Sequence, residues 1–423
     1  MSDDGSAGNQ VGAGPSSARL REIRDLLDRV VTHDLHFDVR AAAVTTIAAG
    51  WPDDPGTLAV LHRAARDLHG WVRAPAVTAI VRTFADHPDT LRLLHDALTD
   101  DSGQVRASAV TAIAQAFPDH PDTRPALHNA LGDDDRNMTG DDDRQVGSTV
   151  RMAWIFPDDP GCRPRRLVVR FGQRSVRANA VTAIAQAYPA HPDTRALLHN
   201  ALQDDDGYVR ATAVTALAQM LPDDPGTLPA LHRATGDSDH RVAGTAVRAI
   251  TWRFPHQADT LAMLHDRATN APADSYPRYE AQDLITDLRR GHAPRPPTDA
   301  ELDVYWDDTT YAEDDMWLYQ WVPSAIRRVW ELPFDALCEK ATTDVDAAVR
   351  AAALDRTAAG WPNRPETIPL LVRAAQHPDD KVRLAAVQGL GRVLHLEPDG
   401  PARAAWNRQP SWARNTTGGV EDP

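Results

Sequence analysis

The chain has 423 residues, 42% of them apolar and 25% charged, and a formal net charge of −15. That length is too great for one compact core and the apolar fraction too high for global disorder, so the chain is expected to form several domains or one extended array. The acidity opposes general attraction to phosphate backbones, and no stretch reaches the ~18 apolar residues of a membrane span.

Residues 1–19 are polar and rich in Gly and Ser, without the basic and apolar regions of a secretory leader, and are expected to form a disordered tail. Cys162 and Cys338 stand in unrelated contexts and suggest neither a disulfide framework nor a metal pair. A reducing, cytoplasmic location is the expectation.

Residues 20–290 carry an internal repeat. A Val-Arg dipeptide begins at Val39, Val72 and Val105, at Val176 and Val209, and again at Val349 and Val382, with a step of 33 residues inside each group. Val242 keeps that step, with Ala243 in place of the arginine. In one unit, Leu91, Leu94 and Leu98 mark a short amphipathic helix A, and residues 104–117 place Val105, Ala109, Ala112, Ile113 and Phe117 on the broad apolar face of a helix B. Helix B stops at a bulky residue before proline, as at Trp51-Pro52, Phe117-Pro118, Tyr188-Pro189, Leu221-Pro222, Phe254-Pro255 and Trp361-Pro362. Pro75 is expected in the first turn of its helix. Neither helix could bury its face alone, so neighbours must stack. The expected fold is an all-α solenoid of about nine or ten helix pairs, starting near Leu20, Thr57, Thr90, Thr123, Gly161, Thr194, Thr227, Thr260, Phe334 and Thr367.

Two stretches break the period. Residues 132–139 are nearly duplicated at 140–147, and residues 162–169 take the place of a helix A that is rich in arginine, with Arg163, Arg165 and Arg166 followed by Arg170 and Arg174. This stretch reads either as a decayed repeat or as a patch for an anionic partner. Residues 291–333 form an irregular insert in which Trp306, Trp317, Trp321 and Trp330 lie among acidic residues. It reads either as a partner-contacting element or as core between two sub-arrays. Two more repeats are expected over 334–396, and a disordered tail over 397–423.

Helix B carries a polar stripe three, six and ten residues after its valine: Ser108, Thr111 and Gln115; Asn179, Thr182 and Gln186; Thr212, Thr215 and Gln219. Thr78, Arg82, Arg248 and Trp252 hold equivalent places in other units. These residues are the candidate partner-binding surface, with small polar residues on a crowded inner face as the plainer reading. Helix A repeats a histidine at His62, His95, His128, His199, His232 and His265. Stacked helices sit ~8–10 Å apart, too far for adjacent rungs to share a metal with ~2 Å bonds. The Asp-rich turns lack calcium-loop spacing and suit helix capping. HExxH, GxSxG, a phosphate loop and a Cys/His nucleophile signature are missing, so no catalytic residue, metal or cofactor is expected.

An aspartate stands six residues before the arginine of Val-Arg in the pairs Asp34/Arg40, Asp67/Arg73, Asp100/Arg106, Asp204/Arg210 and Asp344/Arg350. With this feature the chain resembles the HEAT-repeat family, and the resemblance implies a structural Asp/Arg ladder tying each inter-helix turn to the adjacent repeat. It also implies that helix B lines a concave binding face. By this pattern the ladder breaks at Arg177 and Arg383, which lack the acid, and at Ala243. Ankyrin repeats share the period but not the register of the Thr and His positions. Residues 50–58 and 221–228 look like the HEAT-type sensor arrays of actinobacterial NACHT-type signalling ATPases, whose ATPase half has no counterpart here. The resemblance implies a non-enzymatic scaffold, a sensor or adaptor that binds protein. A nucleic-acid binder like the HEAT-like DNA glycosylases would need a basic groove, for which the arginine-rich stretch is the sole support. A HEAT-like bilin lyase has no assignable active residue.

Overall fold

The computed structural model describes residues 17–133, 150–155, 165–170, 176–271, 276–289, 329 and 332–395. The helices are α1 (Ser17–His33), α2 (Phe37–Gly50), α3 (Pro55–Ala64), α4 (Gly70–Phe84), α5 (Thr90–Ala97), α6 (Gly103–Ala116), α7 (Thr123–Ala130), α8 (Val176–Ala187), α9 (Pro192–Ala201) and α10 (Gly207–Met220). They continue with α11 (Thr227–Ala234), α12 (His240–Arg253), α13 (Ala258–Asn270), α14 (Tyr276–Arg289), α15 (Phe334–Thr343), α16 (Ala347–Gly360), α17 (Thr367–Ala374) and α18 (Asp380–His395). The architecture is an all-α solenoid of helix pairs, and α1 starts inside the expected 1–19 tail.

Local chemistry sets the helix ends. Asp54, Asp206, Asp239 and Asp346 each accept a bond from the backbone amide two residues on, at 2.7–2.8 Å, so the acidic turns do cap helices. The long helices close when Trp51, Phe117, Tyr188, Leu221, Phe254 and Trp361 donate their amides to the carbonyl four residues back. The proline that follows each cannot continue the ladder. Helix α4 begins at Gly70, which puts Pro75 in its second turn, not the first.

Each pair beyond α1–α2 buries a leucine of its short helix completely: Leu61, Leu94, Leu127, Leu198, Leu231, Leu264, Leu337 and Leu371 are 0% exposed. Such burial stabilises by about 1.5–3 kcal/mol per side chain. A buried threonine stands at or near the start of most short helices, and its hydroxyl donates to the carbonyl of the bulky residue that closes the preceding long helix. The distances are 2.6–2.7 Å for Thr57 to Trp51, Thr123 to Phe117, Thr194 to Tyr188, Thr227 to Leu221, Thr260 to Phe254 and Thr367 to Trp361. These bonds satisfy carbonyls that the helix end leaves open. The sequence marks the threonines only as starts, although their recurrence seven residues after the helix-B stop residue's predecessor is a readable signal.

The chain forms two compact units. One is built from residues 17–84 and 332–395. Its long helices form a layer in the order α16, α18, α2, α4, with α15, α17, α1 and α3 each on its own partner. The last repeat of the chain therefore packs directly on the first, and α2 has a neighbour on both sides. The second unit runs over the described residues of 85–310. There α6, α8, α10, α12 and α14 form the layer, and α5, α7, α9, α11 and α13 cover them one by one.

The pairing of α7 with α8 merges two of the expected units. The units expected near Thr123 and Gly161 are one repeat whose inter-helix turn is enlarged, leaving nine pairs among the described residues. Within the enlargement, residues Val150–Ile155 (β1) and Arg165–Arg170 (β2) pair as an antiparallel ribbon, with Val150 opposite Arg170 and Ile155 opposite Arg165. Where a helix was expected over 162–169, the described residues from Arg165 onward form a strand. Val168 and Val169 favour extended backbone.

Candidate functional site

The ladder arginines leave the first turn of each long helix and work in two directions. Nη1 of Arg40, Arg106 and Arg210 donates to the carbonyl of the aspartate six residues earlier, at 2.8–2.9 Å, and Arg73 does the same to Asp67 at 2.9 Å. Nε and Nη2 meet the carboxylate of the next repeat in a two-bond fork: Arg40 on Asp67 (2.8 and 2.8 Å), Arg106 on Asp133 (2.7 and 2.9 Å) and Arg210 on Asp237 (2.9 and 2.7 Å). The aspartate of the arginine's own repeat contributes its backbone, not its side chain. Its carboxylate caps the turn, as Asp34, Asp100, Asp204 and Asp344 do for the amides of His36, Ser102, Asp206 and Asp346 at 2.8–3.0 Å.

This direction corrects two of the three expected breaks, those at Arg177 and Arg383. Arg383 forks onto Asp34 at 2.8 and 3.0 Å, and Arg177 reaches Asp204 at 3.1 Å and Asp205 at 3.0 Å. Neither needed an acid in its own repeat. Arg350 donates to the Asp344 carbonyl and meets His377 Nε2 at 2.5 Å, the histidine standing where other repeats place the acid.

Burial raises the Asp67 carboxyl, but bonds from Arg40 and the His69 amide outweigh it and leave the group below its ordinary value. The bond to Asp237 raises Arg210, and the bond to Asp34 raises Arg383. Asp204 is pushed up by burial and by Asp205 beside it, while Asp205 is lowered by its bond to Asp204 and by Arg177. A cavity of about 370 Å³ lies over the Arg210–Asp237 rung, lined by Gln203, Asp204, Arg233 and Ser238. The rung occupies its strongest charges.

The polar stripe is less open than its residue types suggest. Thr78, Arg82, Gln115, Gln186 and Gln219 are exposed, Thr111 and Thr182 half-buried, and Thr215 buried. The hydroxyls of Thr78, Thr111 and Thr215 donate to carbonyls four residues back in their own helices, at 3.1–3.2 Å. Arg248 pairs with the buried Glu280 of α14 at 2.6 Å. Trp252 packs against the core cluster of Val247, Ile250, Leu264 and Leu284. Trp306, Trp317, Trp321, Arg163 and Arg174 lie outside the described residues.

A different surface emerges from the turns of the first unit. The residue after each ladder acid is Leu35 or Leu68, 94% and 92% exposed, and Val345, 98% exposed, follows Asp344. Pro378, after His377, is exposed too. The rungs Arg350–His377, Arg383–Asp34 and Arg40–Asp67 join consecutive turns, so Val345, Pro378, Leu35 and Leu68 stand in one row. Ladder arginines pin the carbonyls of Pro378, Leu35 and Leu68 at 2.7, 3.3 and 2.9 Å, which holds the apolar side chains outward. Next to the row, the rings of His36, Phe37 and His69 stack with centroids 5.1 and 5.3 Å apart. The same position in the second unit is polar: Asp101, Asp205 and Ser238. The sequence signal for this row is the apolar residue directly beyond Asp34, Asp67, Asp344 and His377.

Among the described residues no helix is long and apolar enough to cross a membrane. No curated protein matches the chain. The family model of HEAT repeats matches residues 23–114, 172–251, 200–285 and 334–405, together more than half of the sequence. With that match and helix pairs that stack within each unit, several of them joined by arginine rungs, the chain belongs to the HEAT-repeat family.

Proposed function

We propose that this HEAT-repeat chain is a non-enzymatic scaffold that binds another protein, acting in the cytoplasm as a sensor or adaptor. The observation that carries this reading is the row Val345, Pro378, Leu35 and Leu68. Single exposed apolar residues are ordinary, but four aligned in consecutive turns favour contact with another protein. The pinned backbone lowers the ordering cost of binding. The exposed Gln115, Gln186 and Gln219 offer a second, hydrogen-bonding surface at a regular pitch, and Thr78, Arg82, Thr111, Thr182, Thr215, Arg248 and Trp252 line or support it. The tryptophans Trp306, Trp317 and Trp321 are further proposed contacts. The acidic charge disfavours nucleic acid.

Site-specific photo-crosslinkers at positions 35, 68 and 345, against controls at 101, 205 and 238, test the reading in native cytosol. In nuclease-treated samples protein adducts are expected at the first set, and the adduct at position 345 should vanish when Leu35→Glu and Leu68→Glu are added. Equal labelling of both sets, or adducts lost with nuclease, would overturn it.

A further inference from the structure

We infer that His95, His120 and Asp122 form a surface site for one divalent transition-metal ion of the zinc class. His95 is in the last turn of α5, His120 in the turn after α6, and Asp122 directly precedes α7 without a side-chain capping bond. One donor atom from each lies within 4.8 Å of the other two, and His120 Nδ1 is 3.9 Å from Asp122 Oδ2. Zinc–ligand bonds of ~2.0–2.1 Å separate tetrahedral donors by about 3.3 Å, so side-chain torsions of roughly an ångström close the site. His95 and His120 are half-buried and Asp122 is exposed, which leaves them free to make that movement. Two imidazoles and one carboxylate suit zinc, cobalt or nickel, whereas calcium and magnesium demand more oxygen donors. Water completes the coordination.

The spacing of stacked short helices excludes a metal between their histidines, but the second ligand here comes from the turn of the following repeat. Equivalent turns show why the set is complete at this place. His191 and Asp193 repeat the His120 and Asp122 arrangement, with Nδ1 accepting the aspartate amide at 3.2 and 3.3 Å respectively. There Arg124 takes the Asp193 carboxylate at 2.5 Å. One repeat on, Arg195 takes Asp224 at 2.7 Å, and His199 faces Gly226. The residue of α5 that aligns with Arg124 and Arg195 is Leu91, so Asp122 lacks that arginine lock. The long bond from the Asp122 amide to His120 Nδ1 is what a metal on that nitrogen would displace.

The test is calorimetric titration of the metal-stripped full chain with zinc chloride, with cobalt absorption as the second readout. One saturable site per chain is expected, abolished by His95→Ala or His120→Ala and weakened about tenfold or more by Asp122→Asn. His128→Ala and His191→Ala should leave it unchanged. Leu91→Arg removes no ligand, yet should weaken binding about as much as Asp122→Asn does by occupying Asp122, while helicity and melting temperature stay at wild-type values. Absence of zinc binding, or an unchanged isotherm in His95→Ala/His120→Ala or in Leu91→Arg, would overturn the site.

Discussion

Arg383 and Asp34 stand 349 residues apart, yet they form the two-bond fork that Arg40 makes with Asp67, 27 residues away. The rung lies between the last repeat and the first, with Asp34 7% and Arg383 16% exposed in their side chains. Gly391 of α18 approaches Thr46 of α2 so closely that a Cβ there would sit 2.8 Å from its hydroxyl. The first repeat is therefore an interior member of its unit, and both chain ends contribute to one core. Arg383→Ala leaves Asp34 without its fork and is expected to cost about 3 kcal/mol in urea unfolding. Asp34→Asn keeps an acceptor for the His36 amide, so its cost isolates the rung. The double variant should be less destabilised than the sum of the singles by about 1.5–3 kcal/mol.

The Arg350–His377 rung predicts a stabilising substitution. His377 does both jobs of the missing acid: Nδ1 accepts the Asp379 amide at 3.0 Å, and Nε2 faces Arg350 Nη1 at 2.5 Å. A neutral imidazole has one acceptor nitrogen, so one of these donors always meets a proton. A carboxylate accepts from both. His377→Asp should therefore stabilise the chain by about 1–2 kcal/mol, read as a raised urea midpoint at unchanged slope. His377→Asn, with one side-chain acceptor oxygen and no charge, should gain little.

Asp67 gives a pH signature. Its carboxyl sits below the ordinary 3.8 in the folded chain, so the unfolded chain binds that proton more readily. The contribution is fully present above about pH 5 and is lost as pH falls through the folded-state value. Asp67→Asn should cost about 1.5–3 kcal/mol at pH 7, and the gap to wild type should narrow steadily from pH 5 to pH 3. A gap independent of pH would mean that the carboxylate charge contributes nothing to the rung.

Much of this organisation was legible in the sequence because each repeat is local. Leu94 and Ile113 mark their faces within a few residues, and Phe117-Pro118 marks a stop by steric rules alone. The ladder was legible as residue types but not as partners. Asp100 and Arg106 are six residues apart, yet the side chain of Arg106 crosses to Asp133, a choice set by how repeats stack. The same stacking hid Arg383–Asp34, since no local rule joins the two ends of a chain. The helix expected over 162–169 came from extending the period across residues that no longer follow it. For the candidate surfaces, the stripe of Thr111 and Thr215 was visible, but their hydroxyl bonds to their own helices were not. Leu35 and Leu68 were plain in the sequence and gained meaning when the rungs aligned their turns.

The enlarged turn between α7 and α8 yields the last prediction. Helix α7 ends at Ala130 and the fork acceptor Asp133 is in place, 2.7 Å from Arg106. Helix α8 resumes at Val176, which is buried like Val105 and Val209. In an ordinary repeat the ladder acid and this valine are joined by residues such as 101–104, between Asp100 and Val105. Across the enlargement, Tyr188 still donates to the Pro118 carbonyl at 2.6 Å and Arg124 still reaches Asp193, so the flanking repeats meet as regular neighbours do. Replacing residues 134–175 by Asp-Ser-Gly-Gln should therefore keep the fold. Shortening the loop lowers closure entropy by only about 2 kcal/mol, so the melting temperature is expected to hold or rise slightly. Helical circular dichroism per residue should increase, because the excised segment contains the ribbon. A loss of cooperative unfolding would instead mean that the ribbon segment supplies contacts the second unit needs to fold.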